Sequence, residues 1–174
     1  ETMEALHDLV KSGKVRYIGA SSMWAWQFAK AQQIAKERGW TRFVSMQNLY
    51  NLLYREEERE MIPLCIDQGV GMTPWSPLAR GDLAKIEDAE DTTKNKTDRM
   101  LDSFKDRYAD SDRVIRQRVL EVSKKKGCAT AQLSLAWLLH KKNVVSPIIG
   151  VTKVGQIKDC VMAVDIELTE DELK

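Results

Sequence analysis

The stretch "GMTPWSPLARG", residues 71–81, reads as a buried strand that halts on a tryptophan, a serine and two prolines before Arg80-Gly81. A strand that only fills a core can end on any turn residues. This one ends on a flat ring, a hydroxyl and exposed backbone, which are parts of a binding surface. Working outward, Val70–Trp75 is the third of four apolar runs that alternate with helical patterns. The others are "VRYIGAS" (15–21), "RFVSMQN" (42–48, strand over Phe43–Gln47) and "VVSPIIG" (144–150). Met3, Leu6, Leu9 and Val10 mark a helix before the first run. Trp24, Phe28, Ala31 and Ala35 share one face of the next, which Gly39 stops. Pro63 is tolerated only in a first turn, so a helix is expected over Met61–Gln68, with Met61, Leu64 and Cys65 inward. Helical spacing resumes at Ile115, Val119 and Val122. It recurs in "TAQLSLAWLLHK", with Thr130 as the expected cap and Ala131, Leu135 and Leu138 on one face. It returns once more at Val154, Ile157 and Val161.

Strands alternating with helices imply right-handed βαβ units and a parallel sheet. No GxGxxG follows any of the runs, which favours a (β/α)8 barrel over a doubly wound dinucleotide fold. Such barrels take about 250 residues. Four strands in 174 residues make half of one, its second half, strands 5–8. The chain opens inside a helical pattern at Glu1. "LTEDELK" carries a capping-box spacing, Thr169 to Glu172, just where it ends. Residues 1–174 are thus expected to be a single partial domain, with the missing strands before Glu1 and a charged loop over 82–113.

With 43% apolar and 30% charged residues and a net charge of +1, the chain has the composition of a globular protein with no general attraction for nucleic acid or acidic membranes. No apolar run approaches the roughly 20 residues of a membrane span. Cys65, Cys128 and Cys160 are few and far apart, which points to reduced thiols and a cytoplasmic setting. With only His7 and His140 besides, no metal site is expected.

A barrel builds its site at the carboxyl ends of its strands. Those ends carry Ser21-Ser22, Gln47-Asn48, Trp75-Ser76-Pro77-Leu78 and Gly150-Val151-Thr152-Lys153. Ser21 and Gln47 suit an amide edge, because glutamine both donates and accepts. Trp75 offers a π face to a planar ring. Arg80 and Gly81 offer charge and close backbone approach. Thr152 and Lys153 precede a helix amino terminus, which favours an anion such as phosphate. An amide, a flat ring and a phosphate together describe a nicotinamide dinucleotide. Taken singly, each residue has a blander role: a turn or cap for the serines, packing for Trp24, Trp26, Trp40 and Trp137, solvation for Lys153.

"GKVRYIGASS", "MQNLYN", "TPWSPLARG" and "PIIGVTK…QIKD" resemble, in that order, the carboxyl-terminal half of an aldo-keto reductase. "YREEEREMIPLC" is similar to the aryl-alcohol dehydrogenase-like branch. The resemblance implies an NADP(H)-dependent oxidoreductase interconverting aldehydes or ketones with alcohols. It places Ser21, Ser22 and Gln47 at the nicotinamide carboxamide and Trp75 against the ring. Ser76, Pro77, Leu78, Arg80 and Gly81 would wrap the pyrophosphate. Gly150, Thr152 and Lys153 would lie near the 2′-phosphate, with Gln156, Asp159 and Cys160 at the adenosine end. Arg99 would close over the cofactor. Ser22 and Cys160 depart from the family's commoner residues there, asparagine or arginine at the first and asparagine at the second.

The resemblance also implies that the reaction's tyrosine, lysine, aspartate and histidine precede Glu1, so no catalytic residue is assigned and the isolated chain is expected to be inactive. Its partners would be a carbonyl or alcohol substrate and the missing amino-terminal half. Two other readings stand beside this one. The first is a non-catalytic nicotinamide-sensing subunit of the channel-associated kind. The second is an unrelated phosphate-binding barrel, which leaves Trp75 and Gln47 without a role.

Overall fold

The computed structural model describes residues 1–84 and 109–174. Arg99 and most of the charged segment lie outside them. Three parallel strands, β1 (Ile18–Ser21), β2 (Phe43–Gln47) and β3 (Gly71–Met72), form a sheet in sequence order. Helices α1 (Thr2–Lys11), α2 (Ala25–Arg38) and α3 (Met61–Gln68) precede or follow them, and α4 (Ala109–Lys126), α5 (Thr130–Leu139) and α6 (Val154–Val161) complete the described chain.

The local chemistry explains the boundaries. Gly39 and Gly69 close α2 and α3 in the left-handed region, where a Cβ would be strained. Pro63 sits in the first turn of α3, where its missing N–H costs nothing. Ile18, Ala20, Phe43, Met46 and Met72 turn inward onto Phe28, Ala35, Met61, Cys65 and Trp137. Gly19, Ser21, Val44 and Gln47 are exposed. A parallel sheet normally has both faces covered; here the described helices bury one. At the β1–β2 step a Cβ on Gly19 would come within 2.2 Å of Ser45 Oγ and 3.2 Å of Ser45 O, so a side chain there would have to turn the Ser45 hydroxyl aside and press on its carbonyl.

The register shifts between Ile18 and Gly19, and beside that irregularity a side chain stands in for a strand. The Gln32 carboxamide, buried on α2, donates to Phe43 O at 3.0 Å and accepts from Phe43 N at 2.9 Å.

The fourth strand expected over 144–150 is not formed as a strand. It is reduced to two parallel bridges, Met72 to Val144 and Trp75 to Ile148. Two prolines account for the loss. Met72 N donates to Asn143 O at 2.8 Å, and Val145 N donates to Met72 O at 2.9 Å. The next rungs of a parallel ladder fall two residues on, at Pro74 and Pro147, and neither has an N–H. Pro74 O is instead met one residue late, by Ile148 N at 2.8 Å.

Other expectations are corrected as well. Helix α4 begins at Ala109, so residues 109–113 are helical and not part of a loop. Ala129, not Thr130, caps α5, and Gln132 Oε1 accepts the Ala129 N–H at 3.0 Å. Nearly all of α5 is buried rather than one face of it. Trp24 is 71% exposed at the start of α2 rather than inward. On α6, Val154, Ile157 and Val161 are all exposed.

The last residues are strapped across α4 and α5. Lys126 Nζ donates to Glu167 O at 2.6 Å and pairs with Glu172 at 2.8 Å. Trp137 Nε1 donates to Leu173 O at 3.1 Å, and Arg55 Nη1 to Lys174 O at 3.2 Å. The Thr169–Glu172 capping box is present, but the residues after it form a turn and not a helix.

Candidate dinucleotide site at the strand ends

The ends of β1, β2 and β3 converge because the ladder continues past the regular strands. Ser22 N donates to Gln47 O at 3.0 Å, and Trp75 N donates to Asn48 O at 3.0 Å. Leu49 pairs with Trp75, and Trp75 with Ile148, two residues before Gly150. Four chain segments therefore reach a common rim.

Trp75 is the keystone of that rim. Its indole Nε1 donates to Ser22 Oγ at 3.2 Å, reaching from the β3 end to the β1 end across β2. The ring is half-buried, with Ser21, Ser22 and Gln47 exposed around it. Ser21 Oγ donates to Gln47 O at 2.8 Å, which spends its proton and leaves its lone pairs to accept. An exposed Gln47 carboxamide beside it adds a donor and an acceptor. Asn48 is different: it is buried, 1% exposed, and its backbone carbonyl accepts from Trp75 N.

After Trp75 the backbone is strained. Ser76, Ala79 and Arg80 take φ of 50°, 47° and 58°, although none is glycine, and Gly81 follows at 119°. The residue before a proline ordinarily stays near φ −120°, so Ser76 before Pro77 is held against its preference. Strain of this kind costs about 1–3 kcal/mol per residue and persists where surrounding structure over-determines it. Ala79 N donates to Ser76 O at 3.0 Å and Gly81 N to Leu78 O at 2.9 Å, folding the segment into a tight turn. Its far end is pinned by Leu83, fully buried against Val119 and Leu133, with Leu52, Leu53 and Ala79 packed around them.

Beyond Gly150, the Gln156 side chain turns back on the start of α6. Its Oε1 accepts from Thr152 N at 2.8 Å, Lys153 N at 3.0 Å and Thr152 Oγ1 at 3.3 Å. Gln156 thus caps its own helix, and Thr152, Lys153 and Asp159 are exposed there. Asp159 O accepts from Gln132 Nε2 at 3.0 Å, tying α6 to α5. Burial, then the neighbouring Asp159 charge, pushes the half-buried Cys160 thiol up.

Among the described residues, the buried Tyr50 is not set up for proton chemistry. Tyr50 is 1% exposed and donates to Glu58 Oε1 at 2.7 Å. Burial, then that bond to an anion, pushes its phenol up, so it is a poor acid. Burial also works to raise Glu58, yet hydrogen bonds from Arg55 and Tyr50 and the charges of Arg55 and Lys141 hold it below the usual range. Tyr17 is 74% exposed on the strand approach, and Tyr108 lies outside the described residues. Among the described residues no cluster of three metal-binding side chains occurs, and no helix is long and apolar enough to cross a membrane.

Asn51 received no role from the sequence, although it stands in the quoted "MQNLYN". Its signal was there: asparagine readily closes turns through its own side chain. Its carboxamide, 2% exposed, donates to Ser76 O at 2.9 Å and accepts from Leu53 N and Tyr54 N, each at 2.9 Å.

The sequence model described as the aldo/keto reductase family matches residues 1–174. The chain is 49% identical over its whole length to a putative aryl-alcohol dehydrogenase of Schizosaccharomyces pombe, covering 49% of that protein. It is 46% identical, again over its whole length, to versiconal hemiacetal acetate reductase of Aspergillus parasiticus, covering 51%. A putative aryl-alcohol dehydrogenase of Saccharomyces cerevisiae is 43% identical over the whole chain and covered to 50%. The chain spans about half the length of the curated relatives it matches.

Proposed function

We propose, from the premise that the chain belongs to the aldo/keto reductase family, whose fold is the (β/α)8 barrel, that it supplies the cofactor-binding, carboxyl-terminal half of an NADP(H)-dependent carbonyl reductase or alcohol dehydrogenase. One observation carries the reading: the 3.2 Å bond from Trp75 Nε1 to Ser22 Oγ, which ties a flat ring to the strand end where Ser21, Ser22 and Gln47 are exposed. Ser21 would accept from, and Gln47 would pair with, a nicotinamide carboxamide, while Trp75 would offer its face to the ring. The turn from Ser76 through Pro77, Leu78 and Arg80 to Gly81 would hold the pyrophosphate. Gly150, Thr152 and Lys153, with Gln156, Asp159 and Cys160, would hold the adenosine end, where the lysine charge would favour a 2′-phosphate.

When bound, the cofactor gives or takes the hydride. This chain holds and orients it, and the carbonyl's proton comes from the rest of the barrel, because Tyr50 is already committed to Glu58. The relatives named as aryl-alcohol dehydrogenases and as a hemiacetal acetate reductase support a carbonyl or alcohol substrate.

The test is a titration of the full-length protein with NADPH and with NADH, followed by tryptophan emission. Saturable quenching, tighter for NADPH, is expected. Trp75→Leu should remove most of the signal, and Lys153→Met should weaken NADPH about tenfold while sparing NADH, the scale of one lost charge-assisted contact. No quenching with either dinucleotide, or full quenching in Trp75→Leu, would sink the assignment.

A further inference from the structure

We propose that Asn51 is a positioning residue that holds the Trp75–Gly81 turn in its ligand-ready shape. The inference rests on the cofactor-binding reading above and adds to it the device that maintains the site.

Three observations meet at this side chain. First, its hydrogen-bonding capacity is divided between two tasks. Oδ1 accepts Leu53 N and Tyr54 N at 2.9 Å and closes the turn after β2. Nδ2 leaves that turn and donates to Ser76 O at 2.9 Å. Second, Ser76 is the first of the three strained residues, at φ 50° before a proline. Its carbonyl is also the acceptor for Ala79 N at 3.0 Å, so the Asn51 bond fixes the peptide on which the whole turn closes. Third, Asn51 is 2% exposed, so water has little access to its carboxamide. A buried side chain facing Ser76 O without a donor would be costly, and the strained, half-buried Ser76 peptide, then held by Ala79 N alone, would be free to rotate.

Turn formation alone would need only an acceptor at position 51. The donor aimed at Ser76 is what separates asparagine from aspartate here. Asn51→Asp keeps the acceptor for Leu53 N and Tyr54 N and replaces the donor by an oxygen facing Ser76 O. A residue that merely shapes its own turn would tolerate that exchange.

The test has two arms. In the first, amide hydrogen exchange is followed across residues 75–83 without ligand, in the wild-type chain and in Asn51→Asp. Exchange in this segment should rise about tenfold, equivalent to one net hydrogen bond, while the α2 and α3 amides keep their protection. Adding Ser76→Gly, which adopts a positive φ without strain, should restore protection in the Asn51→Asp background. In the second arm, the full-length protein should bind NADPH about tenfold more weakly in Asn51→Asp, with kcat at saturating cofactor within about threefold of wild type.

Unchanged exchange over 75–83 in Asn51→Asp overturns the proposal. So does exchange that rises equally everywhere, since that marks general destabilisation, or a kcat that falls as far as affinity does. A wild-type protein that binds no dinucleotide would refute the cofactor reading instead, and the exchange arm would then decide the role of Asn51 by itself.

Discussion

At the scale of single residues, the carboxyl of Glu172 shows how the structure fixes a charge. The hydrogen bond from Lys126, then that from the Thr169 amide, lowers its pKa to about 2. An unfolded glutamate titrates near 4.3. A depressed folded pKa contributes stability that is present above the unfolded value and lost as pH falls through the folded one. The strap over α4 and α5 should therefore stay closed at neutral pH and loosen between about pH 4 and 2. The Thr169 amide resonance should titrate with a midpoint near pH 2. In Lys126→Met that midpoint should move up toward the ordinary carboxylate range. An unchanged midpoint would show that Lys126 is not the cause. Rim residues such as Trp75 and Gln47 were legible in the sequence because strand ends were their only plausible place. Asn51 was not, since its meaning lies in a carbonyl 25 positions away.

At the scale of elements, the three strands could be read as apolar runs, although β3 is regular only over Gly71–Met72 of the expected 70–75, and α3 could be read as an apolar face with a proline in its first turn and a glycine after it. The fourth strand could not, for "VVSPIIG" has the composition of a strand while its proline falls on a rung that needed a donor. The early start of α4 was hidden by charge. Asp110 and Asp112 look like loop residues, yet in a first helical turn they face a favourable dipole. Gln32 was invisible for a related reason: a glutamine on a helix face gives no sign that it will complete a neighbouring strand. Gln32→Met should lower stability by about 2 kcal/mol or more, because both polar groups of Phe43 lose their partner in a buried setting. The exposed neighbour Gln33, bonded to Glu37 at 2.8 Å, serves as control, and Gln33→Met should cost under about 0.5 kcal/mol. Urea midpoints for the two variants test the contrast, and equal shifts would refute it.

At the scale of the whole molecule, the sheet face that the described helices leave open, and the exposed apolar residues Val145, Ile148, Val154, Ile157 and Val161, would suit burial by further βα units. The chain on its own should not reduce an aromatic aldehyde with NADPH above background, and it should bind a hydrophobic dye that full-length protein excludes. Turnover by the isolated chain would contradict the division of labour proposed above. The two prolines in the β3 region and its neighbour bear on a different hazard. Val145 and Ile148 have already given their N–H groups to the β3 segment, Val144 has given its own to Lys141 O, and 147 has none to give. A stray polypeptide laid along that side would find few donors, whereas β1 is an open edge of the sheet among the described residues. In the isolated chain, uncontrolled stacking into fibrils should accordingly start from the β1 side rather than from the proline-bearing margin.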